Sequence, residues 1–172
     1  MTRIMPMAVT SKLIIINTCW AALVVWAAIN GYVELITRAD GVHMTWVIAA
    51  LFAAGLASTF RLAWRVDNAS RVFVNERRTS FIATSRDSAH LYDIRTALFI
   101  LGIIGNAAGF LLAFGGIDTS AVTTAEGAQR AGAQLLSGVG TAFGSTITGL
   151  TLALWLMSNL RPLATAIERL SP

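Results

Sequence analysis

The chain has 172 residues, of which 55% are hydrophobic and only 13% are charged. Because a soluble domain carries about 25% charged residues, this composition argues against a water-soluble fold and indicates a protein that lies in a lipid bilayer. The net charge is +4, but the basic residues collect between the hydrophobic segments. That pattern is typical of membrane topology, and it predicts no nucleic-acid partner.

Four stretches are apolar for long enough to cross a bilayer, which takes about 20 helical residues. In chain order they span about residues 13–30, 43–61, 96–117 and 133–160. We therefore predict an all-α integral membrane protein in which residues 1–172 form one domain with four transmembrane helices. The first stretch follows Arg3 and Lys12 as in a signal peptide, but its length and the three later spans favour a retained helix. The last stretch exceeds the bilayer, so its helix should tilt or project.

The basic residues also predict the orientation of the chain. With the N-terminus in the cytoplasm, only Arg38 and Arg130 of the 13 basic residues lie in external loops. This asymmetry predicts that both termini are cytoplasmic, that residues 31–42 and 118–132 form external loops, and that residues 65–94 form a cytoplasmic loop. Apolar residues recur within this cytoplasmic loop, so helical extensions of the second and third spans into it are expected.

Two residue types within the spans have simple interpretations. The tryptophans fall mostly toward span ends, where interfacial aromatic side chains are common. They are Trp20, Trp26, Trp46, Trp64 and Trp155. The single cysteine, Cys19, cannot form an intramolecular disulfide, and we interpret it as a small buried side chain.

Spans three and four carry the first candidate feature, a set of glycines. Gly102, Gly105 and Gly109 are spaced by three and four residues, so they share one helix face that another backbone can approach closely. The fourth span also carries glycines, which leave parts of its surface without bulky side chains. These are Gly138, Gly140, Gly144 and Gly149. The simplest interpretation of both sets is helix–helix packing.

A stripe of hydroxyl side chains on the fourth span is the second candidate feature. It consists of Ser137, Thr141, Ser145 and Thr148, which recur at helical spacing. Serine and threonine in membrane helices often bond a carbonyl of their own helix, so packing explains this stripe too. The functional interpretation is a hydrated, ion-accessible seam between spans three and four. Asn106 favours it, because an amide at mid-membrane is costly without partners.

No pattern of catalytic chemistry occurs in the sequence. There is no triad, phosphate-binding loop, pair of catalytic carboxylates or metal-ligand spacing, and we interpret His43 and His90 as solvated residues. We therefore predict that the protein is not an enzyme and needs no cofactor or metal. Since no span has an acidic or basic side chain between its ends, an ion-carrying carboxylate would have to come from a partner helix.

Two short motifs resemble the MotA/TolQ/ExbB family of ion-channel stator subunits. The family's penultimate span carries a motif like G-L-x-G-T-x-x-G, and residues 102–109 read G-I-I-G-N-A-A-G. The last span of the family carries a motif like A-T-A-x-G-L, and residues 145–150 read S-T-I-T-G-L. The stretch from Thr141 to Phe143 is similar to the Zorya motor subunit of the same superfamily. The resemblance covers about residues 95–160, and the chain looks like a short, four-span member.

The resemblance implies a homopentamer in the bacterial inner membrane, assembled around a single-span partner of the MotB/TolR/ExbD type. The partner's membrane aspartate would carry the ion, and hydroxyls of the pentamer would face it. By position, Asn106 replaces the family's usual threonine, Thr146 keeps the one in the last span, and Thr141 stands where some members have glutamate. These departures leave either proton or sodium as the transported ion.

The function expected from these observations is that of a pentameric stator subunit of an ion-driven motor. The ion-pathway residues would be Asn106, Thr141, Ser145, Thr146 and Thr148, and the packing residues Gly102, Gly105, Gly109, Gly138 and Gly149. The alternative is an oligomeric membrane scaffold or a holin-like pore that works without ion-driven rotation.

Overall fold

In the computed structural model, the described residues are 8–40, 43–69, 74–115, 117 and 123–169, and the side chains of 69–87 are outside the description. Residues 41–42 and 118–122 of the predicted external loops, and the side chains of several basic residues of the predicted cytoplasmic loop, lie outside it. Every regular element in the described part of the chain is a helix. They are α1 (Val9–Ile29), α2 (Tyr32–Ala39), α3 (Met44–Ala69), α4 (Val74–Gly115) and α5 (Ala125–Glu168).

Four of these helices are long and apolar enough to cross a membrane. The candidate spans are Val9–Ile29, Met44–Asn68, Ser88–Gly115 and Ala125–Glu168. The all-helical, multi-pass membrane fold predicted from the sequence is thereby confirmed. The short helix α2 was not predicted, because the sequence interpretation treated residues 31–42 as a loop.

The two longest helices extend beyond a bilayer. Helix α5 has 44 residues, which at about 1.5 Å per residue is roughly twice the ~30 Å hydrocarbon thickness. Helix α4 has 42 residues, and its first part precedes the candidate span that begins at Ser88. Residues 65–69 and 74–94 of the predicted cytoplasmic loop are therefore helical, as are residues 125–132 of the second external loop.

Local sequence explains where the helices begin and end. Gly31 adopts φ 79° between α1 and α2, a left-handed conformation that side chains rarely tolerate. The carboxylate of Asp40 accepts a hydrogen bond from the backbone N–H of Thr45 (2.6 Å) in the first turn of α3. The hydroxyl of Thr124 accepts one from the N–H of Gly127 (3.1 Å) and caps α5.

A tertiary contact supplies the cap of α1. Val9 and Thr10 donate their backbone N–H groups to the two carboxylate oxygens of Asp67, at 2.8 and 2.9 Å. Asp67 lies near the C-terminus of α3, so the start of α1 and the end of α3 meet. We call this the basic end of the bundle, because Arg61, Arg65, Arg95, Arg161 and Arg169 also lie toward it.

The opposite side of the molecule is called the loop end, and it contains α2, the start of α3 and the start of α5. Two hydrophobic clusters fill the bundle. One, at the basic end, includes Leu13, Leu91 and Leu163, and the other, farther along, includes Ile48, Leu98 and Leu156. Because each cluster takes residues from several helices, α1, α3, α4 and α5 form one packed bundle.

Helix α1 is the most loosely packed of the spans, with 6% of its apolar window buried against 44% for α5. Cys19 is accordingly exposed on α1, which contradicts the buried position interpreted from the sequence. Trp155 is only 9% exposed and lies inside the bundle, so its side chain contacts other helices. Trp26, Trp46 and Trp64 are exposed.

Candidate functional site

The candidate site is built on α4 and α5, which run antiparallel and pack along most of their apolar length. Glycines from both helices face each other at the contact. A Cβ atom at Gly149 would lie 2.8 Å from the Cα of Gly102, and one at Gly109 would lie 2.6 Å from the carbonyl oxygen of Gly138. Since carbon atoms pack best at about 3.5–4.0 Å, only glycine fits these positions. We call this contact the seam.

The seam is thus formed within one chain, and it has no space for an ion. A Cβ at Gly138 would meet the Cα of Ala113 at 2.5 Å, and one at Gly105 would meet the Oγ of Ser145 at 2.5 Å. Backbone atoms of the two helices are in van der Waals contact at the middle and toward the loop end. An ion path between α4 and α5 of a single chain would require these helices to separate.

Two of the hydroxyls that the sequence singled out lie inside the seam region. Thr141 and Ser145 are each 0% exposed. The Thr141 hydroxyl donates to the carbonyl oxygen of Ala39 in α2 (2.8 Å), and the Ser145 hydroxyl donates to that of Thr141 (2.9 Å). Both side chains are therefore satisfied by the fold of the single chain. Thr141 joins α2 to α5, so its role in this structure is tertiary packing.

Thr148 lies on the side of α5 that faces the other helices. It donates to the carbonyl oxygen of Gly144 at 2.8 Å, one turn earlier. A Cβ at Gly144 would meet Ile36 of α2 at 3.4 Å, so this side of α5 packs against α2. Thr148 is half-buried there.

Thr146 and Asn106 lie on a different surface, beside the seam and away from α1, α2 and α3. Thr146 is half-buried, and its hydroxyl donates to the carbonyl oxygens of Ala142 (2.9 Å) and, across the seam, Gly102 (3.3 Å). Asn106 is half-buried, and its amide has no hydrogen-bond partner among the described residues. Apolar side chains that are exposed by 41–61% share this surface, namely Phe99, Phe110, Phe143 and Leu150. We call it the open flank.

The structure therefore separates the five predicted ion-pathway residues into two groups. Thr141, Ser145 and Thr148 have their hydroxyls bonded within the bundle, whereas Asn106 and Thr146 lie on the open flank. A helix places residues about 100° apart in rotation, so side chains at 141, 145 and 148 cannot share a face with 146. Helical spacing therefore separates Thr146 from the other three, and it was the position of Thr146 in the family motif that grouped them in the sequence.

A second polar site was missed by the sequence analysis. Asn17 of α1 and Asn159 of α5 bond each other through their amides, from Asn17 Nδ2 to Asn159 Oδ1 at 2.8 Å and from Asn159 Nδ2 to Asn17 Oδ1 at 3.2 Å. The indole N–H of Trp155 also donates to Asn17 Oδ1, at 2.7 Å. Asn159 is 0% exposed, and its polar atoms are satisfied despite full burial.

Further contacts extend this site along α1. The indole N–H of Trp20 donates to the hydroxyl of Ser158 at 2.9 Å, and the rings of Trp20 and Trp155 stack with centroids 5.6 Å apart. We call the five side chains of Asn17, Trp20, Trp155, Ser158 and Asn159 the polar junction. The signal that could have revealed it was the presence of Asn17 and Asn159 within apolar runs, since such residues need partners in a membrane.

Among the residues that the structure describes, no group of three or more His, Cys, Asp or Glu side chains is placed to hold a metal ion. Comparison with known proteins gives no further assignment: no protein-family model, no curated protein and no solved structure matches the chain. The likeness to the stator family therefore rests on the two motifs quoted from the sequence, and the geometry of the site carries the functional argument.

Proposed function

We propose that this chain is a stator or channel subunit of an ion-driven motor, forming a homopentamer around a single-span partner of the MotB/TolR/ExbD type. The observation that carries the proposal is the open flank. There the Asn106 amide, which no described residue bonds, and the half-buried hydroxyl of Thr146 lie among exposed apolar side chains. A neighbour that fits this surface is mostly apolar and carries one polar group at the membrane depth of Asn106 and Thr146. A partner helix with one membrane carboxylate has that character.

The energetics of burial support an occupant on the open flank. An amide in hydrocarbon without a hydrogen-bond partner costs about 1–3 kcal/mol on protein-based scales, and Asn106 has no partner among the described residues of its own chain. Contact with a polar group of another chain, or with water in a pore, removes this cost. Thr146 keeps acceptor lone pairs free because its hydroxyl acts as the donor in both of its bonds.

These two side chains suit the passage of an ion. The oxygens of Asn106 and Thr146 can replace part of the water around a sodium ion or accept a hydrogen bond from a protonated carboxylic acid, and the Asn106 amide N–H groups can donate hydrogen bonds to a carboxylate. Residues 96–117 and 131–160 have no Asp, Glu, Lys or Arg, so the partner's aspartate would supply the charge. Inward flow of protons or sodium would then drive rotation of the ring about the partner.

The same proposal fixes the orientation and location. The basic end would face the cytoplasm of a bacterial inner membrane, because cytoplasmic loops carry the excess of Lys and Arg. Both α1 and α5 have their outer ends there, so both termini would be cytoplasmic. Helix α2 would lie at the external surface, packed on α5 through Ile36 and Ala39.

The alternative function is an oligomeric scaffold or a holin-like pore without ion-driven rotation. What favours it is that the glycines of the seam are already used within one chain, so they do not by themselves require a ring. In a scaffold, Asn106 would bond a neighbouring copy of the same chain. In a holin-like pore, it would face water without any single-span partner.

Native mass spectrometry and thiol labelling test these alternatives together. Single cysteines are placed at Asn106 and at Thr146 in a Cys19→Ser background, with Ile104→Cys as the matched control. Ile104 lies two residues from Asn106 on another side of α4 and is 48% exposed. The stator proposal expects five copies, and it expects a water-soluble thiol reagent to label positions 106 and 146 faster than position 104.

Each other outcome has a definite meaning. Equal labelling at all three positions, or a monomer or dimer in the mass spectrum, overturns the stator proposal. Pentamers that conduct ions in liposomes without any single-span protein indicate the holin-like pore. Assemblies in which positions 106 and 146 are protected, and which conduct nothing when co-expressed with a neighbouring single-span protein, indicate the scaffold.

A further inference from the structure

A second polar groove lies away from the seam, between α3 and α4 at the basic end. Its volume is about 290 Å³, and its lining consists of Ser58, Arg61, Leu62, Arg65 and His90. Ligand pockets in proteins usually measure about 300–1,000 Å³, so this groove, just below that range, suits a small group such as a single phosphate. Among the described side chains, no carboxylate lines it.

The polar groups of the groove come from two helices and converge. The hydroxyl of Ser58 on α3 and Nε2 of His90 on α4 are hydrogen-bonded at 2.7 Å, which joins the two walls. Arg61 and Arg65 are four residues apart on α3, so they lie on one helix face. The Arg61 guanidinium has no hydrogen bond or ion pair with any residue that the structure describes. Arg61 thus presents to the groove a positive charge that no residue in the described part of the chain pairs with.

The sequence around the groove indicates its depth in the membrane. Arg61 is the first charged residue of α3 after residues 44–60, which carry no charge. Trp64, nearly one turn farther along, is 64% exposed, and exposed tryptophans are typical of the boundary between hydrocarbon and head groups. The buried side chain of Leu62 forms the apolar part of the lining. Charge and apolar surface therefore meet at the depth where the sequence predicts lipid phosphates.

We propose that this groove binds the phosphate of an anionic phospholipid from the surrounding leaflet. Arg61 donates to two phosphate oxygens in the bidentate geometry that guanidinium groups favour, and the hydroxyl and imidazole of Ser58 and His90 provide further polar contacts. Basic pockets between transmembrane helices commonly hold anionic head groups. A bound lipid here fastens α3 to α4 at the basic end. The proposal does not depend on ion transport.

The test measures lipid binding to the purified full chain in a neutral detergent, by native mass spectrometry with added phosphatidylglycerol or phosphatidylcholine. The wild type should bind phosphatidylglycerol in preference to phosphatidylcholine. Arg61→Gln should weaken phosphatidylglycerol binding about fivefold, the change that corresponds to ~1 kcal/mol per basic residue near an anionic surface. Ser58→Ala is a second variant and should weaken binding without changing the charge.

The control variant is Arg169→Gln, which removes an exposed basic residue at the same end but outside the groove. It should bind phosphatidylglycerol as the wild type does. An equal loss in Arg61→Gln and Arg169→Gln shows general surface attraction and overturns the site. If inorganic phosphate displaces the lipid at the same concentration at which phosphatidylglycerol saturates the groove, the groove is a free-phosphate site and the lipid assignment is overturned. Equal binding of phosphatidylcholine overturns it too.

Discussion

The seam and the polar junction hold helices together in opposite ways. At the seam, α4 and α5 approach so closely that a Cβ at Gly149 would lie 2.8 Å from the Cα of Gly102. At the polar junction, α1 and α5 are joined by hydrogen bonds, such as the one from Asn17 Nδ2 to Asn159 Oδ1 at 2.8 Å. The seam depends on small side chains, and the junction depends on large polar and aromatic ones.

These two modes of helix association follow from the amount of surface that each helix pair, α4–α5 or α1–α5, buries. Lipid is as apolar as leucine, so burial of apolar side chains contributes little to helix association in a bilayer. The long contact of α4 with α5 is stabilised by dispersion, because the close approach of the two backbones creates many weak van der Waals contacts. Helix α1 buries only 6% of its apolar window, so it needs a few strong, directional bonds instead.

The largest effect should come from filling the seam. Gly109→Ala places a methyl group 2.6 Å from the Gly138 carbonyl oxygen and 2.7 Å from the Ala142 Cα, which are backbone atoms that cannot rotate away. We expect a loss of about 3 kcal/mol in the free energy of unfolding, the upper part of the range for overpacking. Unfolding by SDS in mixed micelles measures it. Gly132→Ala is the control, because nothing lies within 4 Å of its Cβ position, and a loss of equal size there contradicts the prediction.

The next effect should come from breaking the polar junction. Asn159→Leu removes both hydrogen bonds between the Asn17 and Asn159 amides and leaves Asn17 with the Trp155 indole and the Leu13 carbonyl, and we expect a cost of about 1–2 kcal/mol. The double variant Asn17→Leu with Asn159→Leu should cost less than the sum of the single variants, since each single change already removes the same amide–amide hydrogen bonds. The same SDS titration measures the cycle. Additive losses would show that the two amides do not interact, and Asn30→Leu, an exposed asparagine, should change stability by less than about 0.5 kcal/mol.

A smaller effect should follow from removing the cap of α1. Asp67→Ala removes the acceptor of the Val9 and Thr10 N–H groups, and a lost cap costs about 1 kcal/mol. Hydrogen exchange should become faster in the first turn of α1 and stay unchanged in α5. Asp93→Ala, which removes an exposed carboxylate at the same end, is the control. If both variants exchange alike, the Asp67 contact does not hold α1.

The smallest effect on stability, and the most informative one for function, should come from Thr146→Val. It keeps the volume and removes one hydroxyl, so stability should change by about 0.6 kcal/mol, the average for such bonds in membranes. Ion flux with the single-span partner should nevertheless fall. Thr148→Val is a matched control, because Thr148 makes the same bond to a carbonyl four residues earlier but lies toward α2. Equal flux in both variants would show that Thr146 is a packing residue.

Particular residues show how far sequence reasoning reached in the site. The spacing of Gly102, Gly105 and Gly109 indicated a face for close approach, and the structure places that face against α5 of the same chain. The hydroxyl stripe was also read from spacing, but spacing does not say which neighbour a face meets. Thr141 bonds α2, a helix that was not predicted, so its role depended on a contact between residues far apart in the chain.

The sequence by itself determined the membrane character of the protein, its four long apolar helices and the asymmetry of its basic residues, because these follow from local composition and from the length needed to cross a bilayer. Only the tertiary structure decided that Asn17 pairs with Asn159, that Trp155 is buried, and that Asn106 and Thr146 lie on an open flank. Those outcomes depend on the rotation of each helix about its axis. Rotation is set by packing between helices, and periodicity within one helix does not specify it.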